Sequence, residues 1–296
     1  MFMFLFRRAA LAVAASTAVL AAVPSVGHAS PQPRVHPMPT VALSRGHEHA
    51  GAEPIKYYSG PVMTGPVKLY VVWYGDWSNR AARRAVLTDF LGHLDSPYWN
   101  VNKGYPAPSG AAVAGPSLAA QMDDAGSVGV KNLTDAQIQN VVENAITKNA
   151  LPKDPNGVYM VLTSSAVTKE GFLTQYCGWH SFARIGGAII KFAFIGDPSG
   201  PRVRGCSPQS VSPNSDVGAD AMASTIYHEL DEAVTDPTMR GWHTARGEEN
   251  ADRCAWTYGK VYKVGAAMAN MKLGSRDYLI QTNWVNTPAG RCDLTP

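Results

Sequence analysis

The spacing of apolar and polar residues along this chain predicts strands alternating with helices. Residues 67–74, VKLYVVWY, are almost continuously apolar and β-branched, as in a strand covered on both faces, so they are expected inside a sheet. Ser78 then caps a helix over about 79–94 whose buried stripe is Ala82, Val86, Phe90 and Leu91. From 96 to 129 the chain is rich in Pro, Gly and Ala, which predicts long loops and short edge strands, with Tyr98, Trp99 and Tyr105 at their front. The Thr134-x-x-Gln137 pair opens a helix to about 149, followed by a strand over 157–163. A loop carrying Cys177, Gly178, Trp179 and His180 leads to a third strand over 188–195, and Gly274-Ser275 signals a later hairpin. With no internal repeat and no central linker, the pattern predicts one α/β domain, a central mixed sheet flanked by helices.

The most informative periodic stretch is 216–237, DVGADAMASTIYHELDEAVTDP. Ala219, Met222, Ala223, Ile226, Leu230 and Ala233 recur every three or four positions, the stripe of a helix burying one side. Thr225, His228, Glu229, Glu232 and Asp236 fall on the opposite side, so an imidazole and several carboxylates share one surface. Asp216, or Ser215 before it, is the expected N-cap, and Thr-Asp-Pro at 235–237 ends the helix. The carboxylates gather near the helix C-terminus, where the dipole disfavours negative charge, so a positive partner is expected there.

The N-terminus changes the setting. Arg7-Arg8, an apolar run from Ala9 to Val23 and the small residues Gly27 and Ala29 predict a signal peptide over 1–29, followed by a flexible leader over 30–54 and the folded domain over 55–296. His47 and His49 lie in that leader. The chain carries 26 basic and 23 acidic residues, and losing Arg7 and Arg8 leaves a charge of +1. That balance gives no support to nucleic-acid binding. With no second apolar run long enough to span a membrane, the mature chain is expected to be secreted, in the periplasm, cell wall or medium. Four cysteines in an exported chain point to disulfides, and Cys177 with Cys206 and Cys254 with Cys292 would each close a loop within its own segment.

The candidate chemistry is a metal site. His228-Glu229-Leu230-Asp231-Glu232 has the form of the helical His-Glu-x-x-His zinc motif with glutamate as its second ligand, a zincin-like helix. In that logic His228 and Glu232 hold the ion, Glu229 activates a water, and a third ligand comes from the acidic run before Cys254. Glu249 and Asp252 lead, with Glu248, Asp236 and His243 behind. Zn²⁺ is the expected ion and Ca²⁺ the alternative, because a mostly oxygen ligand set also suits a hard cation. The bland alternative is a solvated acidic face. His180 either lines the same cleft or is a satisfied core histidine. No Gly-x-Ser-x-Gly elbow and no phosphate-cradling glycine loop is present.

YYSGPVMTGPVKLYVVWYGDW at 57–77, CGWHS at 177–181, SPNSDVGADAM at 212–222, AVTDP at 233–237 and the late cysteine together resemble the EXORDIUM or phosphate-induced protein family, in the same order across about 57–292. The resemblance implies a secreted, disulfide-bonded domain. Its plant members lie in the cell wall or apoplast and are linked to growth, and no enzymatic activity defines them. Their pattern is apolar where Tyr227 to Glu232 stands here, so the His/Glu face is expected to belong to bacterial relatives. Two functions follow. One is a zinc-dependent hydrolase acting on peptide bonds. The other is a non-catalytic extracellular protein, with a structural ion and two disulfides, that presents the aromatic loops of 96–129 to a carbohydrate or protein partner.

Overall fold

All of VKLYVVWY except Lys68 is buried in strand β3 (Val67–Tyr74). The structure, a computed structural model, describes residues 34–40 and 54–296. In it β3 lies inside a six-stranded mixed sheet ordered β4 (Pro116–Asp124), β3, β5 (Gly157–Thr163), β7 (Ala188–Ile195), β6 (Tyr176–Ile185), β1 (Val35–Pro39). The pairs from β4 to β7 are parallel, and β6 and β1 each run antiparallel to the strand before them in the sheet.

Side-chain alternation sorts the two faces. Leu69, Val71, Trp73, Met160, Leu162 and Ile195 meet helices α1 (Ala81–Gly92) and α3 (Val217–Thr235) on one side. Tyr70, Val72, Tyr159, Val161, Phe192 and Phe194 meet α2 (Asp135–Thr147) on the other. The central mixed sheet flanked by helices is therefore present as expected. The capping box forms, with Gln137 N–H donating to Thr134 Oγ1 at 3.2 Å. The hairpin forms too, from β11 (Met271–Leu273) and β12 (Arg276–Tyr278), with Gly274 at φ 56° in the left-handed turn. Both disulfides join the expected partners, Cys177 to Cys206 and Cys254 to Cys292, with Cα atoms 5.5 Å apart in each.

Several expectations need correcting. Ser78 does not cap α1: its hydroxyl and N–H both donate to Asp76, and the helix begins at Ala81. Residues 176–185, expected as a loop, form the ten-residue strand β6. Its mixed composition reflects two unlike environments, since Trp179 enters the α2 core while Gly178 lies against α3. The 96–129 stretch does hold an edge strand as expected, but at nine residues, Pro116–Asp124, β4 is longer than the short strands foreseen. Within the expected leader, Val35–Pro39 is an edge strand on β6, a position that tolerates Pro37 and Pro39 because an outer N–H needs no ladder partner. Met38 is buried there beside Cys177 and Cys206. The signal peptide, His47 and His49 lie outside the described residues.

The largest correction concerns α3. Its polar side is not a surface: every residue from Gly218 to Thr235 is buried. The helix packs on β6, β7 and α1, and its polar side is closed by β1 and the chain after it. Among the described residues no helix is long and apolar enough to cross a membrane.

Candidate metal centre

Both ends of α3 are pinned. At the start, Asp216 accepts from Ala219 N–H at 3.0 Å, as its N-cap role requires, and also takes a two-pronged grip from Arg83 at 2.9 and 2.7 Å. The same guanidinium reaches Asp197, just past β7, so the helix start is tied to the sheet. At the far end Asp236 accepts the N–H groups of Arg240 and Gly241 and turns the chain toward β8 (Trp242–His243). In the middle Asp231 accepts from Asn102 and Asn283 and belongs to neither group of possible metal donors. It is therefore a structural member of the His-Glu-Leu-Asp-Glu run, its pKa pushed up to about 8, chiefly by burial.

Between these anchors the helix meets two other walls. His180 projects from β6, and Glu249 and Asp252 come from the segment before Cys254. That segment is held by the Cys254–Cys292 disulfide, by Trp284 N–H donating to Asn250 O at 3.0 Å, and by Arg253 over the Trp284 ring at 4.4 Å. His228 Nε2 stands 3.2 Å from Glu232 Oε1 and 3.5 Å from Asp252 Oδ1. Neither ring nitrogen of His228 makes a hydrogen bond. His180 Nε2 stands 2.9 Å from Glu249 Oε2 and 3.7 Å from Glu232 Oε2. Asp252 N–H donates to Glu232 Oε1 at 3.1 Å, which binds the two acidic segments together.

Glu229 sits beside these groups. Its Oε1 accepts Met38 N–H from β1 at 3.2 Å, while its buried Oε2 has no hydrogen-bond partner. Room for it exists because its neighbour on β6 is Gly178, where a Cβ would lie 3.3 Å from Glu229 Oε1. Burial raises the Glu229 carboxyl to about 8 against the pull of His228. For His180 burial works the other way, but the carboxylates of Glu249, Glu232 and Glu229 together more than offset it and bring the imidazole up to about 9. His228 is likewise raised well above the usual imidazole value, burial again opposing and Glu232 and Asp252 prevailing. These are the electrostatics of a dry pocket with more acid than base, the condition in which a bound cation replaces costly protonation.

Every leading candidate from the sequence thus reaches one place. His228, Glu232 and Asp252 form one set of donors able to hold a metal ion, and His180, Glu232 and Glu249 a second. His180 was open between cleft and core from sequence, and strand alternation is the signal that places it: in β6 it shares the α3 side with Gly178. The weaker candidates fall outside both sets. Glu248 pairs with Arg253, and His243 stacks on Tyr58 at 4.0 Å between centroids. Asp236 caps the helix end as described. A cleft of about 390 Å³, lined by Arg34, Asp236, Met239, His243, Arg246 and Glu249 among others, reaches the edge of the cluster. Trp99 and Tyr105 are buried, the first donating to Ala114 O at 2.8 Å, while Tyr98 is partly exposed.

The conserved region of phosphate-induced protein 1 matches residues 55–273, most of the described chain. The chain belongs to the EXORDIUM, or phosphate-induced protein, family. Protein EXORDIUM-like 3 of Arabidopsis thaliana is 28% identical over 271 residues, covering 78% of this chain and 80% of its own. EXORDIUM-like 5 of the same plant is 28% identical over 273 residues, with 78% and 75% covered, and PHOSPHATE-INDUCED 1 of Nicotiana tabacum is 25% identical over 242 residues, with 70% and 73% covered. No solved structure matches the chain. The matched EXORDIUM region contains α3, His180, Glu249 and Asp252, and ends before Cys292.

Proposed function

We propose that this EXORDIUM-family protein is an exported, metal-dependent hydrolase, with His228, Glu232 and Asp252 holding a divalent ion and Glu229 acting as base. The observation that carries this is Glu229: a fully buried carboxylate beside two ligand sets, outside both, with one oxygen unpartnered. A buried acid left half-satisfied is costly, and a site that uses it to take a proton is the economical explanation. Each donor set contains an imidazole, which favours Zn²⁺ over Ca²⁺. The ion would supply Lewis acidity. Glu229 would accept the proton of the attacking water, and Met38 N–H would hold its carboxylate in place. The substrate class is peptide bonds, by analogy with the helical zinc motif that His228 to Glu232 approximates.

The test is metal content and turnover of the mature protein on a peptide library, for the parent and for Glu229→Gln. Bound metal in both, with hydrolysis reduced about 10²-fold or more in the variant, is the expected result. Hydrolysis unchanged in the variant would remove Glu229 from the reaction. One observation favours a structural ion instead, namely that His180, His228, Glu232 and Glu249 are all buried. That alternative predicts metal without turnover and a fall in thermal stability on chelation.

A further inference from the structure

We infer that the centre takes two divalent cations bridged by Glu232, one with His228 and Asp252 and the other with His180 and Glu249. This rests on the metal reading above. The donors divide into two sets, the atoms of each lying within 4.8 Å of one another, and the two imidazoles fall in different sets. A single ion would therefore satisfy one imidazole and leave the other against carboxylates. Glu232 is common to both sets and divides its oxygens between them: Oε1 is 3.2 Å from His228 Nε2, and Oε2 is 3.7 Å from His180 Nε2. A carboxylate that turns one oxygen toward each of two sites is the arrangement that bridges a metal pair about 3.5–4 Å apart.

Charge points the same way. Glu229, Glu232, Glu249 and Asp252 crowd four carboxyl groups into the pocket, and all but Asp252 are fully buried. With all four ionised and both imidazoles neutral, the state that bound metal favours, one dication would leave a net charge of about −2 in a low-dielectric interior, whereas two reach balance. His228 gives an independent sign that a ligand belongs there: its buried ring makes no hydrogen bond, and its Nε2 meets only the Glu232 and Asp252 carboxylates, at 3.2 and 3.5 Å, which a shared cation would draw into ligation. The sequence left Glu249 and Asp252 as rivals for one third-ligand position. In the fold they are not rivals, because each completes a different set.

The experiment loads the full mature chain with Mn²⁺ by dialysis, removes free ion, and counts metal per chain by elemental analysis alongside electron paramagnetic resonance. Two Mn²⁺ per chain with an exchange-coupled spectrum is expected. His180→Ala and His228→Ala should each retain one uncoupled ion, and Glu232→Gln should lose the coupling. One uncoupled Mn²⁺ in the parent, unchanged by His180→Ala, would overturn the pair while leaving the single-metal reading intact. No bound metal in a folded parent would overturn both. The parent's count and spectrum decide the matter even if a variant fails to fold.

Discussion

Gly178→Ala tests whether α3 and β6 are in the close contact that assembles the centre. A Cβ at 178 would lie 2.5 Å from Thr225 Cγ2 and 2.8 Å from Phe194 O. Carbon atoms in contact prefer about 3.5–4.0 Å, so roughly 1 Å must be found somewhere. Thr225 cannot turn away cheaply, because it is buried and its hydroxyl donates to Ala221 O at 3.0 Å. Phe194 O belongs to β7 beside β6 and is equally fixed. The helix must therefore shift as a body, at a cost of about 1–3 kcal/mol for overpacking. For a domain of this size each kcal/mol is worth about 2–4 °C in melting temperature, so a fall of about 2–12 °C is expected. The same shift draws His228, Glu229 and Glu232 away from His180, so bound metal should fall with it. Thermal unfolding followed by circular dichroism, paired with metal analysis, makes the measurement. Gly92→Ala, where a Cβ would meet nothing within 4 Å, is the matched control and should be neutral or slightly stabilising. A Gly178→Ala protein melting within about 1 °C of the parent would refute the contact and the seating of Glu229 built on it.

Arg83→Met should cost about 3–5 kcal/mol in urea unfolding, because it strands the buried Asp197 and takes the charged partner from the part-exposed N-cap Asp216; a loss under about 1 kcal/mol would contradict the pinning of α3. Reducing the disulfides should cost about 4 kcal/mol each by loop closure over sequence separations of 29 and 38, read as a lower melting temperature with reductant, and no change would count against both bridges. Asp220, whose pKa burial raises from 3.8 to about 6, binds a proton more readily folded than unfolded. Its contribution should therefore grow as pH falls from about 6 toward 4, by up to roughly 3 kcal/mol, and Asp220→Asn should flatten that part of the stability curve; an unaltered slope would show that Asp220 titrates normally.

Much of this architecture was legible in the sequence because it depends on local periodicity. VKLYVVWY could only be an interior strand, the Thr134–Gln137 capping box and the Gly274 hairpin are decided within a few residues, and Asp216 caps α3 as its position suggested. Residue type and spacing also named His228, Glu229 and Glu232, since a helix places positions four apart on one side whatever surrounds it. The disulfide partners followed from segment proximity. What periodicity could not supply was the environment of each face. The same stripe of His and Glu reads identically whether water or protein covers it, and only β1, β6 and the 248–254 segment closing over α3 make it a buried pocket. Strand β6 escaped notice because its two faces meet unlike neighbours, an aromatic core against Trp179 and a close-approaching helix against Gly178, so no apolar alternation survives in CGWHS. Strand β1 is an edge strand carrying two prolines and draws its order from Met38 and the ladder to β6, contacts between residues more than a hundred positions apart. The division follows from range. Periodicity and spacing along the chain determined which residues are candidates for the chemistry, whereas the pairing of His180 with Glu249 and of Asp252 with His228 required loop closure across tens of residues, and only tertiary packing could decide it.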